Sequence, residues 1–449
     1  MSAATQPVRY PDVSSQPFMT RRALVLVLLN VLVPGSAQVL AGSRRLGRWG
    51  LASTLVSWAV VVVVVALALF WRTPLLEVAT NTLALTVVQV FLVYYAVLWV
   101  VLTVDTLRLV RIVRTAPRMR GVLAGLMAVL LVATVGPAAW GAYLSGVQHG
   151  LLSRLFSSQQ AAADPVDGRY NVMLLGGDAG ADRTGLRPDS LSVASIDAET
   201  GQTTIVGVPR NLYDAPFSEG SPLWGPFPDG YDCGDECLVS FLYTYAEEHP
   251  DLYPDAASKG STPGVEATRD ALEGVTGLTI QYYALIDMDG FVDVVDALGG
   301  VEIDVKQRVP INGGEDAAGQ PINVDGWIEP GLQRLDGYHA LWYGRARHGT
   351  SDFDRMARQR EVQQAILDQF QPTTVLAKFQ DVADAGVQTV ETDVPQAALS
   401  AFVELAVKAK SQPVTSLELV PPTYSNYRPD FPAMRAAVAA ATTSAAAQG

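Results

Sequence analysis

Apolar positions follow two different rules along this chain. Over the first 150 residues they run in unbroken stretches, and three of these, 51–71, 81–104 and 121–148, contain no charged side chain. A helix crossing a bilayer needs roughly 20 apolar residues, because ~1.5 Å of rise per residue must cover ~30 Å of hydrocarbon. Each stretch is therefore a predicted membrane span. A fourth stretch, 23–43, is interrupted by Pro34-Gly35. Proline lacks the backbone donor and glycine loosens the helix, so this segment reads either as a re-entrant hairpin or as a fourth, kinked span.

From residue 169 the pattern changes to short apolar runs separated by turn residues. Strands are predicted over 170–175, 189–196 and 203–208, with 197–201 as a tight turn between the last two. A helix follows over 265–275, a strand over 279–286, and a short helix over 291–298 that stops at Gly299-Gly300. A strand over 301–305, a polar-faced helix over 354–370, a helix over 396–409 and a strand over 417–420 complete the series. Such alternation predicts an α/β domain over 169–435, with helices flanking a central mixed sheet. A linker, 149–168, joins it to the helical membrane region, 23–148. The alanine-, threonine- and serine-rich end, 436–449, is expected to be loosely ordered.

Charge adds a location. The net charge of −13 divides unevenly: residues 1–150 carry 12 Lys+Arg against Asp12, Glu77 and Asp105, while the remainder nets −22. Arg44, Arg45 and Arg48 precede the first span, and Arg108, Arg111, Arg114, Arg118 and Arg120 lie between the second and third. The positive-inside rule places both segments, with residues 1–22, in the cytoplasm and leaves the chain beyond about 150 outside. A cleaved signal peptide does not fit several internal apolar segments. The expectation is a multi-pass cell-membrane protein with an extracytoplasmic C-terminal domain. An acidic body lacks the cationic surface on which nonspecific nucleic-acid binding relies, so no nucleic-acid partner is expected. The two cysteines, Cys233 and Cys237, sit in a Gly/Pro-rich loop. Outside the membrane they read as a local disulfide; a zinc pair would need two further ligands, and two free thiols are the remaining alternative.

Candidate chemistry falls at three places. In Leu174-Leu175-Gly176-Gly177-Asp178 an apolar strand runs into a glycine turn ending in a carboxylate, and Arg187-Pro188-Asp189-Ser190 precedes the next strand. Two carboxylates at adjacent strand ends can share a hard divalent cation, although an aspartate after glycine is more often a turn residue. Arg210 ends the third strand. Between 345 and 360 stand Arg345, Arg347, Arg355, Arg358 and Arg360 and no lysine. The planar guanidinium fork binds phosphate bidentately. Arg355 and Gln359, four apart, share a helix face. A surface helix laced by Asp352, Asp354 and Glu361 is the competing reading.

These stretches carry a resemblance. Asn171-Val-Met-Leu-Leu-Gly-Gly-Asp178, Arg187-Pro-Asp-Ser190, Val208-Pro-Arg-Asn211, Asp296-Ala-Leu-Gly-Gly300, Leu335-Asp-Gly-Tyr-His-Ala-Leu-Trp-Tyr-Gly-Arg-Ala-Arg-His348 and Ser351-Asp-Phe-Asp-Arg-Met-Ala-Arg-Gln359 follow one another in an order that resembles the LytR-CpsA-Psr family, of an actinobacterial type with a multispan anchor. The resemblance implies a phosphotransferase that moves a glycopolymer from a polyprenyl-pyrophosphate carrier to peptidoglycan, leaving a phosphodiester. It implies that Asp178 and Asp189 hold Mg²⁺ (or Mn²⁺). Arg210, Arg345, Arg347 and Arg355 would bind the pyrophosphate with Gln359 alongside, and Arg187 and Arg358 are further candidates. Asp178, Asp189, Arg210 and Arg347 would be the catalytic set, and Phe291, Val294 and Val295 could line an apolar groove for the lipid. Two positions depart from the family pattern, Gly177 for serine and Asn211 for aspartate. A non-catalytic binder of polyprenyl phosphates or wall-assembly scaffold, and a lipid pyrophosphatase, are the alternatives.

Overall fold

The structure, a computed structural model, describes residues 8–446 apart from 10, 72, 157–160, 179–186, 235–236, 370–389 and 410–411. The chain forms two compact units, 1–150 and 151–449.

The first unit is helical. Its elements are α1 (Gln16–Leu32), α2 (Ser36–Ala41), α3 (Arg44–Phe70), α4 (Thr73–Thr80), α5 (Thr82–Val110) and α6 (Pro117–Leu155). Pro34-Gly35 breaks the fourth apolar stretch into α1 and α2. Gly35 takes φ +95°, and a Cβ there would lie 2.5 Å from the Leu51 nitrogen, so only glycine fits where α3 crosses. Polar side chains point inward. Asn30, Gln38 and Thr106 are 0% exposed and hydrogen-bond one another in a chain, Gln38 Nε2 to Thr106 Oγ1 at 2.9 Å and Thr106 Oγ1 to Asn30 Oδ1 at 3.1 Å. Apolar side chains point outward instead, with Val62 67%, Leu83 74% and Val132 72% exposed. A bundle in water would reverse this, because exposed apolar area is unfavourable there; in hydrocarbon it is the expected arrangement. Three helices, Arg44–Phe70, Thr82–Arg114 and Pro117–Gly150, are long and apolar enough to cross a membrane.

The second unit is built on a six-stranded mixed sheet. The strands are β1 (Arg169–Asp178), β2 (Arg187–Asp197), β3 (Thr203–Val208), β4 (Tyr282–Asp287), β11 (Val390–Thr392) and β12 (Thr415–Glu418), in the order β11-β4-β1-β2-β3-β12. The β1–β2–β3 meander is antiparallel, while β4 and β12 join it in parallel. Side-chain alternation sends Met173, Leu175, Leu191, Val193 and Val206 to one face. There they pack on α7 (Leu242–Glu248), α8 (Pro263–Thr276) and α13 (Phe431–Ala446). Val172, Leu174 and Ile196 go to the other face, against Phe402 of α12 (Leu399–Ala409). A second core joins α9 (Met288–Leu298), α10 (Gly337–Arg345) and α11 (Asp352–Gln369) to β5 (Val301–Val305) and β10 (Gly331–Leu335). Three short strands, β6 (Val309–Ile311), β7 (Gly314–Glu315) and β8 (Pro321–Ile322), and then β9 (Gly326–Ile328), form two small pairs between them.

The end of the chain corrects an expectation. Residues 436–446 are not loosely ordered but continue α13, whose Met434 and Val438 are fully buried. Asp430 Oδ1 caps the helix by accepting from the Ala433 nitrogen at 3.0 Å, and Arg435 reaches the Gly274 carbonyl at 2.7 Å. Cys233 and Cys237 form a disulfide.

Candidate functional site

Strand ends build one wall of the site. The β1–β2 register pairs Gly176 with Ser190 and Gly177 with Pro188, which leaves Asp189 as the extra residue of a bulge. A bulge redirects the side chain it carries, and Asp189 lines a cleft beside Gly176 and Gly177. Arg210 follows β3, and its carbonyl is fixed by the Ser240 nitrogen at 3.1 Å. Helices α10 and α11 supply the opposite wall. Arg345 ends α10, a tight turn over 346–351 follows, and α11 begins at Asp352. Along α11 the positions 355, 359, 362, 363 and 366 recur at helical spacing, and all five face the cleft.

That face changes character along its axis. Arg355 and Gln359 stand at the strand-end side, whereas Val362 and Ile366 continue into a mostly apolar trough with Ile286, Met288, Phe291 and Val294. The whole cleft encloses about 360 Å³. It offers an anion-binding end and a hydrocarbon-lined body, the two requirements of an anionic amphiphile.

Electrostatics concentrate at the polar end. Arg210 Nη1 is in a tight ion pair with Asp189 Oδ1, and its Nε lies 3.8 Å from Asp352 Oδ1. Asp352 Oδ1 also receives Arg355 Nη2 at 3.0 Å, and the same nitrogen reaches the Asp189 carbonyl at 3.4 Å. Two guanidinium groups and two carboxylates thus alternate in a near-closed set. Arg355 is 1% exposed and its Nε has no hydrogen-bond partner. Burial, only partly offset by Asp352, pushes its guanidinium down to about 10, with Arg210 adding to the decrease. It therefore stays charged at neutral pH, desolvated and with a free donor, which is the state an entering anion would relieve.

The other expected residues separate into groups. Arg345 lines the cleft, its Nη1 2.9 Å from Met288 Sδ. Gln359 also lines it, with Nε2 donating to the Gly344 carbonyl at 3.1 Å and Oε1 buried without a partner. Arg347 is exposed and close enough to Arg355 to lower that group's affinity for its proton. Arg358 does not join the site. It turns inward, donating from Nε to the Tyr343 carbonyl at 2.7 Å and from Nη2 to the Ala346 carbonyl, and so holds the 346–351 turn rather than facing the cleft. The Asp178 and Arg187 backbones pair across the end of β1 and β2; their side chains lie outside the described residues. Of the groove candidates, Phe291, Val294 and Val295 all line the trough. Asp352, which reads from the sequence only as a surface ion-pair partner, belongs to the charged set at the polar end as well. Its signal was its position three residues before Arg355, on the same helix face.

Asp189 is the one carboxylate of the expected pair whose side chain is described, and it lines the cleft where a hard divalent cation could use it. Asp189 Oδ1 is taken by Arg210, but no described residue hydrogen-bonds its Oδ2. Among the described residues there is no cluster of three or more His, Cys, Asp or Glu. A cation here would take one or two carboxylate oxygens from the protein and the rest from water and phosphate, as Mg²⁺ commonly does.

By fold and site this is an α/β protein with a candidate membrane anchor and an amphipathic cleft. The model of the LytR_cpsA_psr family matches residues 152–428, and the chain belongs to that family. It is similar to the cell wall biosynthesis protein LcpA of Corynebacterium glutamicum, 28% identical over 59% of this chain and 52% of that protein. It is also similar to the polyisoprenyl-teichoic acid–peptidoglycan teichoic acid transferase TagU of Bacillus mycoides, 27% identical over 50% of this chain and 60% of that protein. The chain thus spans little more than half the length of these relatives. Among solved structures, TagV of B. subtilis aligns at a TM-score of 0.43 with 20% identity over 62% of this chain and 98% of that one. A LytR-Csp2A-Psr enzyme from Actinomyces oris aligns at 0.40 with 19% identity over 63% and 92%.

Proposed function

We propose that the chain is a phosphotransferase that moves a glycopolymer from a polyprenyl-pyrophosphate carrier onto a peptidoglycan hydroxyl. One observation carries the reading: a fully buried arginine, Arg355, with an unpartnered Nε, opens onto an apolar trough. An inorganic anion would use the arginine but not the trough; a neutral lipid would use the trough but not the arginine. A polyprenyl pyrophosphate uses both. The family membership and the transferase names of the relatives support the same reaction class.

In this reading the acceptor hydroxyl attacks the distal phosphorus and polyprenyl phosphate leaves, so the glycopolymer keeps one phosphate as a phosphodiester. Arg355 and Arg345 hold the pyrophosphate oxygens in the cleft, Arg210 and Arg347 neutralise charge from its rim, and Gln359 orients alongside. Phosphoryl transfer depends chiefly on such positioning and charge stabilisation. Asp189, with Asp178 from the adjacent strand end, would hold Mg²⁺ or Mn²⁺, which when bound adds positive charge next to the leaving phosphate. Val362, Ile366, Phe291 and Val294 take the first isoprene units and exclude water from the reacting end. The three candidate spans, oriented by the positive-inside rule with the Arg44–Arg48 and Arg108–Arg120 segments in the cytoplasm, support a location of residues beyond about 150 outside the cell membrane, where a lipid carrier and peptidoglycan would meet.

The test is release of polyprenyl phosphate from a synthetic polyprenyl-pyrophosphate glycan by the purified full chain with Mg²⁺ and a peptidoglycan acceptor. Asp189→Ala should abolish release while the thermal melt stays near that of the native chain; undiminished release would remove Asp189 from the cation role.

A further inference from the structure

Asp189 has two claims on it. The reading above gives its carboxylate to a divalent cation, yet Oδ1 is already held by the Arg210 guanidinium. A dication arriving at that carboxylate repels the guanidinium, and at this range and partial burial the repulsion is only weakly screened. Arg210 must then find another counter-ion or swing away from the polar end of the cleft.

A second carboxylate is in place. Asp352 Oδ1 lies 3.8 Å from Arg210 Nε, a different nitrogen from the Nη1 that Asp189 holds. Asp352 is itself kept in position by Arg355 Nη2 at 3.0 Å. The ordinary reading of Asp352 is a first-turn acid that favours the start of α11. That role requires neither its distance to Arg210 nor its pairing with the buried Arg355.

We propose that Asp352 is a positioning residue, the standing counter-ion that retains Arg210 at the rim of the cleft when a divalent cation displaces it from Asp189. The inference rests on the assignment of the cation to Asp189. Cation loading then frees the Nη groups of Arg210 for the pyrophosphate, while Asp352 holds Nε. Without a cation, Arg210 is spent on Asp189 and the clamp is unarmed. Cation and pyrophosphate binding are consequently linked, and by reciprocity each favours the other.

The experiment measures the affinity of Mn²⁺ alone for the full chain in detergent, by electron paramagnetic resonance of free Mn²⁺. The variants are Asp189→Asn, Arg210→Gln, Asp352→Asn and the Arg210→Gln/Asp352→Asn double variant. Removing the resident cation should tighten Mn²⁺ binding, so Arg210→Gln is expected to bind ~10-fold more tightly than the native chain. Asp352→Asn deprives Arg210 of its alternative partner and should weaken Mn²⁺ binding ~5-fold, but by less than ~2-fold once Arg210 is gone, since the effect runs through that side chain. Asparagine keeps the start of α11, so a purely helix-stabilising Asp352 would leave Mn²⁺ affinity unchanged. Unaltered or weaker binding by Arg210→Gln, or equal weakening by Asp352→Asn in both backgrounds, overturns the inference while leaving the cation at Asp189. Native affinity in Asp189→Asn removes that assignment itself, and the inference with it.

Discussion

Arg355 is buried and Arg347 is exposed, and the two should respond differently to substitution. Arg355→Lys keeps a charge but loses the planar fork and the Nε donor, so pyrophosphate-lipid affinity should fall by ~10-fold or more. Arg347→Ala removes a solvated rim charge; affinity should fall only a few-fold, with no change in the melt. Titration calorimetry with a short polyprenyl pyrophosphate checks both, and equal losses would contradict the assigned burial. Arg358 belongs to stability instead. Arg358→Ala leaves the Tyr343 and Ala346 carbonyls without their donor and should cost about 3 kcal/mol in denaturant unfolding. At this scale the sequence identifies the arginine cluster but cannot sort its members. Arg355 and Arg358 lie on one helix, three residues apart, and only the tertiary contacts of Arg358 with the Tyr343 carbonyl of α10 and the Ala346 carbonyl of the following turn set which of them faces the cleft.

Elements bounded by periodicity were the most legible. The strands expected over 203–208 and 301–305 are β3 and β5 to the residue, and the helix expected over 354–370 is α11 with an earlier start. The strand expected over 279–286 begins at Tyr282; ahead of it the Asn171 side chain donates to the Thr279 carbonyl and the Gln281 side chain accepts from the Asn171 nitrogen. Helix α13 carries helix signals in Asp430, Pro432 and the alanines that follow, but its low complexity resembles a tail, and only the burial of Met434 and Val438 in the core separates the two. Val438→Asp should therefore destabilise the second unit by about 3 kcal/mol or more, since it buries an unpaired carboxylate. A change under 1 kcal/mol in a chemical melt would argue against the packing of α13. Glycine at 337 has a stricter reason. A Cβ there would fall 2.1 Å from the Val292 carbonyl oxygen, so Gly337→Ala must push α10 away from α9. Because both helices line the cleft, lipid affinity should fall along with stability, by about 1–3 kcal/mol of the latter.

For the whole molecule, the first unit exposes apolar area on three helices long and apolar enough to cross a membrane, whereas the second gathers its apolar side chains into cores. The candidate spans are legible in the sequence because a charge-free apolar stretch of that length has few other uses. The cleft is not, because it is assembled from strand ends and helices more than a hundred residues apart in sequence. Its direct test follows the phosphorus. With the distal phosphate of the polyprenyl-pyrophosphate glycan isotopically labelled, the native chain should carry the label into peptidoglycan and release unlabelled polyprenyl phosphate, while Arg355→Ala transfers at least ~100-fold less. Label recovered as free phosphate or left on the lipid, or transfer undiminished in Arg355→Ala, would contradict the account.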